Sequence, residues 1–90
     1  MSQYQLEIPK RVYRQIERLP GQYRQRVRRI IRALPDNPRP QNAKLLRDRF
    51  QMYQIWLDDY RIVYSIDNNI LVIEVVKVGL KRGPEFYDDM

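Results

Sequence analysis

The stretch Tyr53-Gln54-Ile55-Trp56-Leu57-Asp58-Asp59-Tyr60-Arg61-Ile62-Val63-Tyr64-Ser65-Ile66-Asp67-Asn68-Asn69, continuing as a nearly all-apolar run from Ile70 to Val78, decides the fold. Its β-branched and aromatic residues alternate with polar ones. Asp58-Asp59 and Asp67-Asn68-Asn69 interrupt the pattern with residues that tolerate the positive φ of a tight hairpin, so the stretch reads as a three-stranded meander. Two-residue loops at Asp58-Asp59 and Asn68-Asn69 set the expected register. The first places Leu57 opposite Tyr60, Trp56 opposite Arg61, Ile55 opposite Ile62 and Tyr53 opposite Tyr64. The second places Ile66 opposite Leu71, Tyr64 opposite Ile73 and Ile62 opposite Val75. Side chains alternate between faces, so Tyr53, Ile55, Leu57, Tyr60, Ile62, Tyr64, Ile66, Leu71, Ile73 and Val75 form a core face. Gln54, Trp56, Arg61, Val63, Ser65, Val72, Glu74 and Val76 form a mixed face, where Trp beside Arg and Gln marks the place for a partner or substrate.

Upstream, Tyr4 to Ile8 alternates as a first strand ended by Pro9, a residue that suits a helix start. Val12, Ile16 and Leu19 then recur at helical spacing, and Pro20-Gly21 breaks the chain. A second helix over about Gln22 to Leu34 carries Tyr23, Val27, Ile30, Ile31 and Leu34 on one side and five Arg on the others. So short a turn predicts an antiparallel helical hairpin. Three Pro in residues 35 to 43 exclude a helix or a central strand there, and Lys44 to Phe50 reads as the lead-in to the meander. The expected class is α+β. An N-terminal strand is followed by a two-helix hairpin packed on one face of a mainly antiparallel four-stranded sheet, with a short C-terminal tail, in a single domain spanning residues 1–90.

Composition narrows the chemistry. With no Cys and no His, a disulfide scaffold is excluded, zinc and non-haem iron sites are disfavoured, and a His general base is impossible. No metal and no cofactor is expected. No apolar run has the length of a membrane span or a signal-peptide core, so a soluble, cytoplasmic protein is expected. The net charge of +6 is uneven: residues 10 to 49 hold 13 of the 17 Lys and Arg against three acids, while residues 50 to 90 hold four against seven. Thirteen of the bases are Arg, whose planar fork suits phosphate, so a polyanion is the leading partner class. The plainer reading of the same charge is a solvated helical surface whose Arg stems cover apolar area.

Asn37-Pro38-Arg39-Pro40, Lys44-Leu45-Leu46, Tyr53-Gln54-Ile55, Asp59-Tyr60-Arg61-Ile62-Val63-Tyr64 and Val76-Lys77-Val78-Gly79 resemble the RelE/ParE superfamily of bacterial toxins, over roughly residues 4 to 87. The resemblance implies an α+β toxin neutralised by an antitoxin that wraps it. It also implies one of two targets: messenger RNA in the ribosomal A site, cleaved as an endoribonuclease, or DNA gyrase, poisoned on its DNA. A homologue that keeps only its antitoxin is a third possibility. For the RNA-cleaving branch, the motif positions imply catalytic roles for Arg61, Lys81 and Tyr87. RNA contacts would then fall to Arg82, Trp56, Gln54, Arg24, Arg28, Lys44 and Arg47. Gln54 and Trp56 depart from the basic residues usual at their positions: Gln54 can only hydrogen-bond, and Trp56 can stack on a base, worth about 1–3 kcal/mol.

The implied reaction is a transesterification. The ribose 2′-OH attacks its own phosphodiester, giving a 2′,3′-cyclic phosphate and a 5′-OH. It needs a base, cations for charge on the phosphate, and an acid for the 5′-oxygen. Arg cannot be the base. Tyr and Lys both sit at about pKa 10 unperturbed, so either needs a depressed pKa in a cationic pocket, and Tyr87 beside Lys81 and Arg82 is the candidate. The structural alternative pairs Arg61 with Trp56 as a surface cation–π contact worth about 0.5–1 kcal/mol, with Glu74 opposite Val63 holding the guanidinium.

Overall fold

The computed structural model describes residues 3–90. The chain runs β1 (Gln5–Glu7), α1 (Lys10–Glu17), α2 (Gly21–Ala33), β2 (Ala43–Leu45), β3 (Met52–Leu57), β4 (Tyr60–Asp67), β5 (Val72–Leu80) and a 3-10 turn at Pro84–Tyr87. The sheet has five strands in the order β1-β5-β4-β3-β2, with β1 parallel to β5 and the other neighbours antiparallel. The class is α+β as expected, but the strand count of four is corrected to five. Ala43-Lys44-Leu45, read from sequence as a lead-in, pairs with Ile55-Gln54-Tyr53. Three residues behind a Pro-rich link are too few to show a period of two.

Both helices follow a Pro. Pro9 and Pro20 stand in extended backbone just before α1 and α2, where a missing N–H costs nothing because a helix start leaves its first donors unpaired anyway. Val12, Ile16, Leu19, Val27, Ile31 and Leu34 are buried against Ile55, Leu57, Ile62, Tyr64, Ile66, Ile73, Val75 and Val78. The helical hairpin therefore covers the face that the alternation assigned to the core.

The first hairpin has the expected register at all four pairs: Leu57 with Tyr60, Trp56 with Arg61, Ile55 with Ile62 and Tyr53 with Tyr64. Asp58 supplies the positive φ, at 55°. The second hairpin is corrected by two residues at Ile66, opposite Ile73, and Tyr64, opposite Val75, and by three at Ile62, opposite Val78. The Asp67 carboxylate accepts from the N–H groups of Asn69 (2.9 Å) and Ile70 (3.2 Å), and Leu71 adopts φ 55°. A side-chain-capped loop of this kind replaces the tight two-residue turn. Leu71, expected in the core, is thus an exposed loop residue. Glu74 moves from Val63 to Ser65, and no ion pair joins it to Arg61.

Farther along, Val63 pairs with Lys77 while Tyr64 pairs with Val75, so Val76 is the extra residue of a bulge. The bulge returns Val78 to the core and leaves Val76 on the face away from the helices with Val63. β1 covers only Val72 to Glu74 of β5. Beyond it α1 supplies the partners: Val78 N–H donates to the Gln15 side-chain oxygen (2.8 Å), and Arg11 donates to the Val76 carbonyl (3.3 Å).

Tyr64 is fully buried, stacks on Tyr53 at 5.8 Å, and donates its hydroxyl to the Pro38 carbonyl at 2.7 Å. This bond ties the Pro-rich link to the sheet, and burial pushes the phenol's ionisation well above its ordinary value. Tyr64→Phe removes a buried bond of the kind worth about 1 kcal/mol. Its urea midpoint should fall accordingly, with the slope of the transition unchanged.

Candidate nucleic-acid interface

Three strands deliver side chains to the face opposite the helices. Lys44 is the cross-strand partner of Gln54, and Trp56 of Arg61; directly opposed residues share a face. The Trp56 ring is half exposed. The Arg61 guanidinium lies 4.4 Å from its centroid and the Lys44 ammonium 5.1 Å. Arg61 also donates to the carbonyls of Asp58 (2.8 Å) and Tyr60 (2.9 Å), while its Nε is buried with no partner. Arg61 is therefore anchored by the turn at one end and by the indole along its plane.

The C-terminal tail closes over the other half of this face. Phe86 is buried on Val63 and Val76, with Leu46, Met52, Tyr87 and Met90 around it. The apolar strip of Val63 and Val76, read from sequence as open surface for a partner, is thus covered by the chain itself. Gly79 is the cross-strand partner of Arg61, and a Cβ there would stand 3.5 Å from the Phe86 ring. That is ordinary contact distance, so the tail lies directly beside the Arg61 position. Lys77 and Arg49 hold the tail's backbone. Lys77 Nζ donates to the Phe86 carbonyl (2.5 Å) and to Asp89 (2.7 Å), and lies 4.3 Å from the Phe86 ring centroid. Arg49 donates to the Tyr87 carbonyl (3.0 Å) and the Met90 carbonyl (3.4 Å).

So docked, Tyr87 donates its hydroxyl to Gln54 Oε1 at 2.7 Å, and Lys81 Nζ lies 5.9 Å from the Tyr87 ring centroid. Gln54 and Trp56 are successive same-face positions of β3, so the Tyr87 pair and the Arg61 pair adjoin. Among the described residues the two ion pairs are Arg28 with Glu17 and Lys77 with Asp89. Lys44, Arg61 and Lys81 thus carry positive charge with no carboxylate partner.

The remaining sequence candidates separate. Arg47 lines a cleft of about 400 Å³ with Leu46, Asp48, Arg49, Pro84 and Tyr87. Arg82 lines a cleft of about 560 Å³ at the end of α1, with Gln15, Arg18 and Glu85. Arg24 and Arg28 lie on α2: Arg24 donates to the Glu17 carbonyl (3.4 Å), and Arg28 pairs with the Glu17 carboxylate. Glu17 thereby restrains two side chains expected to meet RNA, both of them at the surface. Arg49, Lys77 and Phe86 are the contributors that sequence reasoning missed. Phe86 had a signal, an aromatic pair after Gly83-Pro84, whereas Arg49 had none.

Comparison with known proteins places this geometry. The sequence model described as "ParE toxin of type II toxin-antitoxin system, parDE" matches residues 6–83. The chain belongs to this toxin family. No match is found among curated protein sequences. Solved structures are similar over nearly the whole toxin. An arginine-substituted mutant of E. coli toxin RelE in the free state is 27% identical with a TM-score of 0.79, covering 98% of this chain and 93% of that one. The intact E. coli RelBE toxin–antitoxin complex matches at 26% identity and a TM-score of 0.75, over 89% and 99%. The archaeal RelE–RelB complex from Pyrococcus horikoshii OT3 matches at 27% and 0.76, over 93% and 99%. None of the toxin's helices is long and apolar enough to cross a membrane, among the described residues.

The tail's ion pair carries a pH signature. The hydrogen bond from Lys77 holds the Asp89 carboxyl below its ordinary value. A depressed carboxylate favours the docked tail above the ordinary range, and that contribution is lost as pH falls through the lowered value. In a carbon-detected NMR titration, Lys77→Met should return Asp89 to the ordinary carboxylate value.

Proposed function

We propose that this toxin is a ribosome-dependent messenger RNA endonuclease working by attack of the ribose 2′-OH, with no metal in the reaction. The observation that supports this reading most is that Arg61 and Lys44 meet at Trp56, next to the Gln54 that binds the Tyr87 hydroxyl, and Lys81 lies by the Tyr87 ring, with none of the three cations in an ion pair. A phosphodiester gathers negative charge as the 2′-oxygen attacks, and preorganised cations stabilise that charge without reorganising. Arg61 is the best preorganised of them, held on Trp56 and the turn carbonyls. The hydroxyl of Tyr87, oriented by Gln54, accepts the 2′-OH proton once it has given up its own, and the ammonium of Lys81 supplies a proton to the departing 5′-oxygen. The products are a 2′,3′-cyclic phosphate and a 5′-OH.

Its partners on this reading are the ribosome, messenger RNA and a cognate antitoxin. The antitoxin follows from family membership and from the RelB chains bound to RelE in the similar complexes. The exposed Trp56 and the unpaired cations around it suit an acidic covering segment. A second reading, a gyrase poison, is favoured by the ParE family match together with Gln54 and Trp56 in place of basic residues. Arg47 and the α2 arginines are secondary phosphate contacts in either case.

Adding the purified toxin to a translating extract should produce cuts within A-site codons. Arg61→Ala should slow them by about 100-fold, the cost of removing one preorganised charge stabiliser. Intact transcripts at saturating toxin, with supercoiling by gyrase inhibited instead, would replace this reading by the second.

A further inference from the structure

Resting on the nuclease reading, we propose that Lys44 and Arg61 hold two adjoining phosphates of one RNA strand, with Trp56 as the positioning residue that fixes the distance between them. Trp56 then does not serve as a base-stacking platform. The decisive geometry is that both cations converge on one ring, Arg61 Cζ at 4.4 Å from the centroid and Lys44 Nζ at 5.1 Å, from strands on opposite sides of β3. Neither cation is in an ion pair, so no carboxylate offsets their mutual repulsion. The negative face of the indole offsets part of that repulsion. A guanidinium at stacking distance occupies the surface a base would need.

Each cation also keeps its capacity for a phosphate. Arg61 spends Nη1 on the carbonyls of Asp58 and Tyr60, leaving Nη2 free and Nε buried without an acceptor. The Lys44 side chain is exposed and in no ion pair. Arg61 adjoins Gly79, beside Phe86 and so near Tyr87, which assigns it the phosphate that reacts. Lys44, on the edge strand, takes the next one outward. The charge missing from β3 at Gln54 and Trp56 is thereby supplied from β2, one strand over.

Trp56 is the single tryptophan, so its emission reports the clamp directly. The probe is a mixed-sequence single-stranded oligodeoxynucleotide, which has phosphates but no 2′-OH to react. Titrated into the full chain it should change Trp56 emission saturably. Lys44→Met, which keeps the aliphatic stem, should bind about tenfold more weakly. Its dependence of log affinity on log salt should be shallower by about 0.7, the mark of one lost phosphate contact on a single strand. Lys44→Arg should keep the native slope. With a labelled probe read by anisotropy, Trp56→Phe should stay near native and Trp56→Leu should resemble Lys44→Met. A merely structural Lys44 would leave the slope unchanged.

An unaltered slope in Lys44→Met, or no response of Trp56 to the probe, overturns the clamp even if transcripts are cut. A Lys44-dependent slope with transcripts left intact upholds the clamp and removes the nuclease reading.

Discussion

The burial of one ring, Phe86, on Val63 and Val76 sets the form of the working face. A sheet with helices on one side leaves its other side wet, and two valines there would remain exposed. The bulge at Val76 keeps that valine on this side and brings Lys77 there as well, opposite Val63, where its ammonium holds the tail. Once Phe86 is down, Tyr87 has little choice of position. The T-shaped contact between the two rings, 5.2 Å between centroids, and the Arg49 bonds to the backbone carry its hydroxyl to Gln54. A small apolar contact thus places a polar group, which is cheaper in conformational entropy than holding an unanchored terminus in one geometry.

Electrostatics on that face follow from where the acids go. Asp58 accepts from Tyr23 at 2.5 Å, a bond that raises the ionisation of that phenol above its ordinary value. Glu17 is taken by Arg28, Asp89 by Lys77, and Asp67 by its own loop. With these carboxylates engaged elsewhere, Arg61, Lys44 and Lys81 remain uncompensated and attract phosphate. The positive charge that decides the face is therefore local. It is not the net +6 of the chain, most of which sits on the helices.

Much of this was legible before any coordinates. The first hairpin could be read to the residue because Asp58-Asp59 admits few loop geometries between two strongly alternating strands. The helical stripes were legible for the same reason, a period carried by many residues. The second hairpin slipped because the loop is capped by the Asp67 side chain, and nothing in the run Ile70-Leu71-Val72-Ile73 separates loop from strand by polarity. β2 was too short to show a period. Of the site, the strand residues were readable through their register. The return of the tail was not, since it depends on a bulge, a lysine and an arginine from distant parts of the chain. Arg82 illustrates the limit: adjacency in sequence suggested shared duty with Lys81, whereas Arg82 lines the cleft by Gln15 and Arg18 and Lys81 lies near the Tyr87 ring.

The side chains of Gln15 and Arg11 on the second half of β5 have a consequence for how the molecule meets its own copies. A strand margin with free donors and acceptors invites another chain to add on, the usual seed of swapped dimers and fibrils. Here a helix satisfies those groups with an amide and a guanidinium rather than with more strand. Growth of the sheet past β5 in that direction is closed without a longer β1, and a protein with so exposed a basic surface keeps its most strand-like segment away from intermolecular pairing.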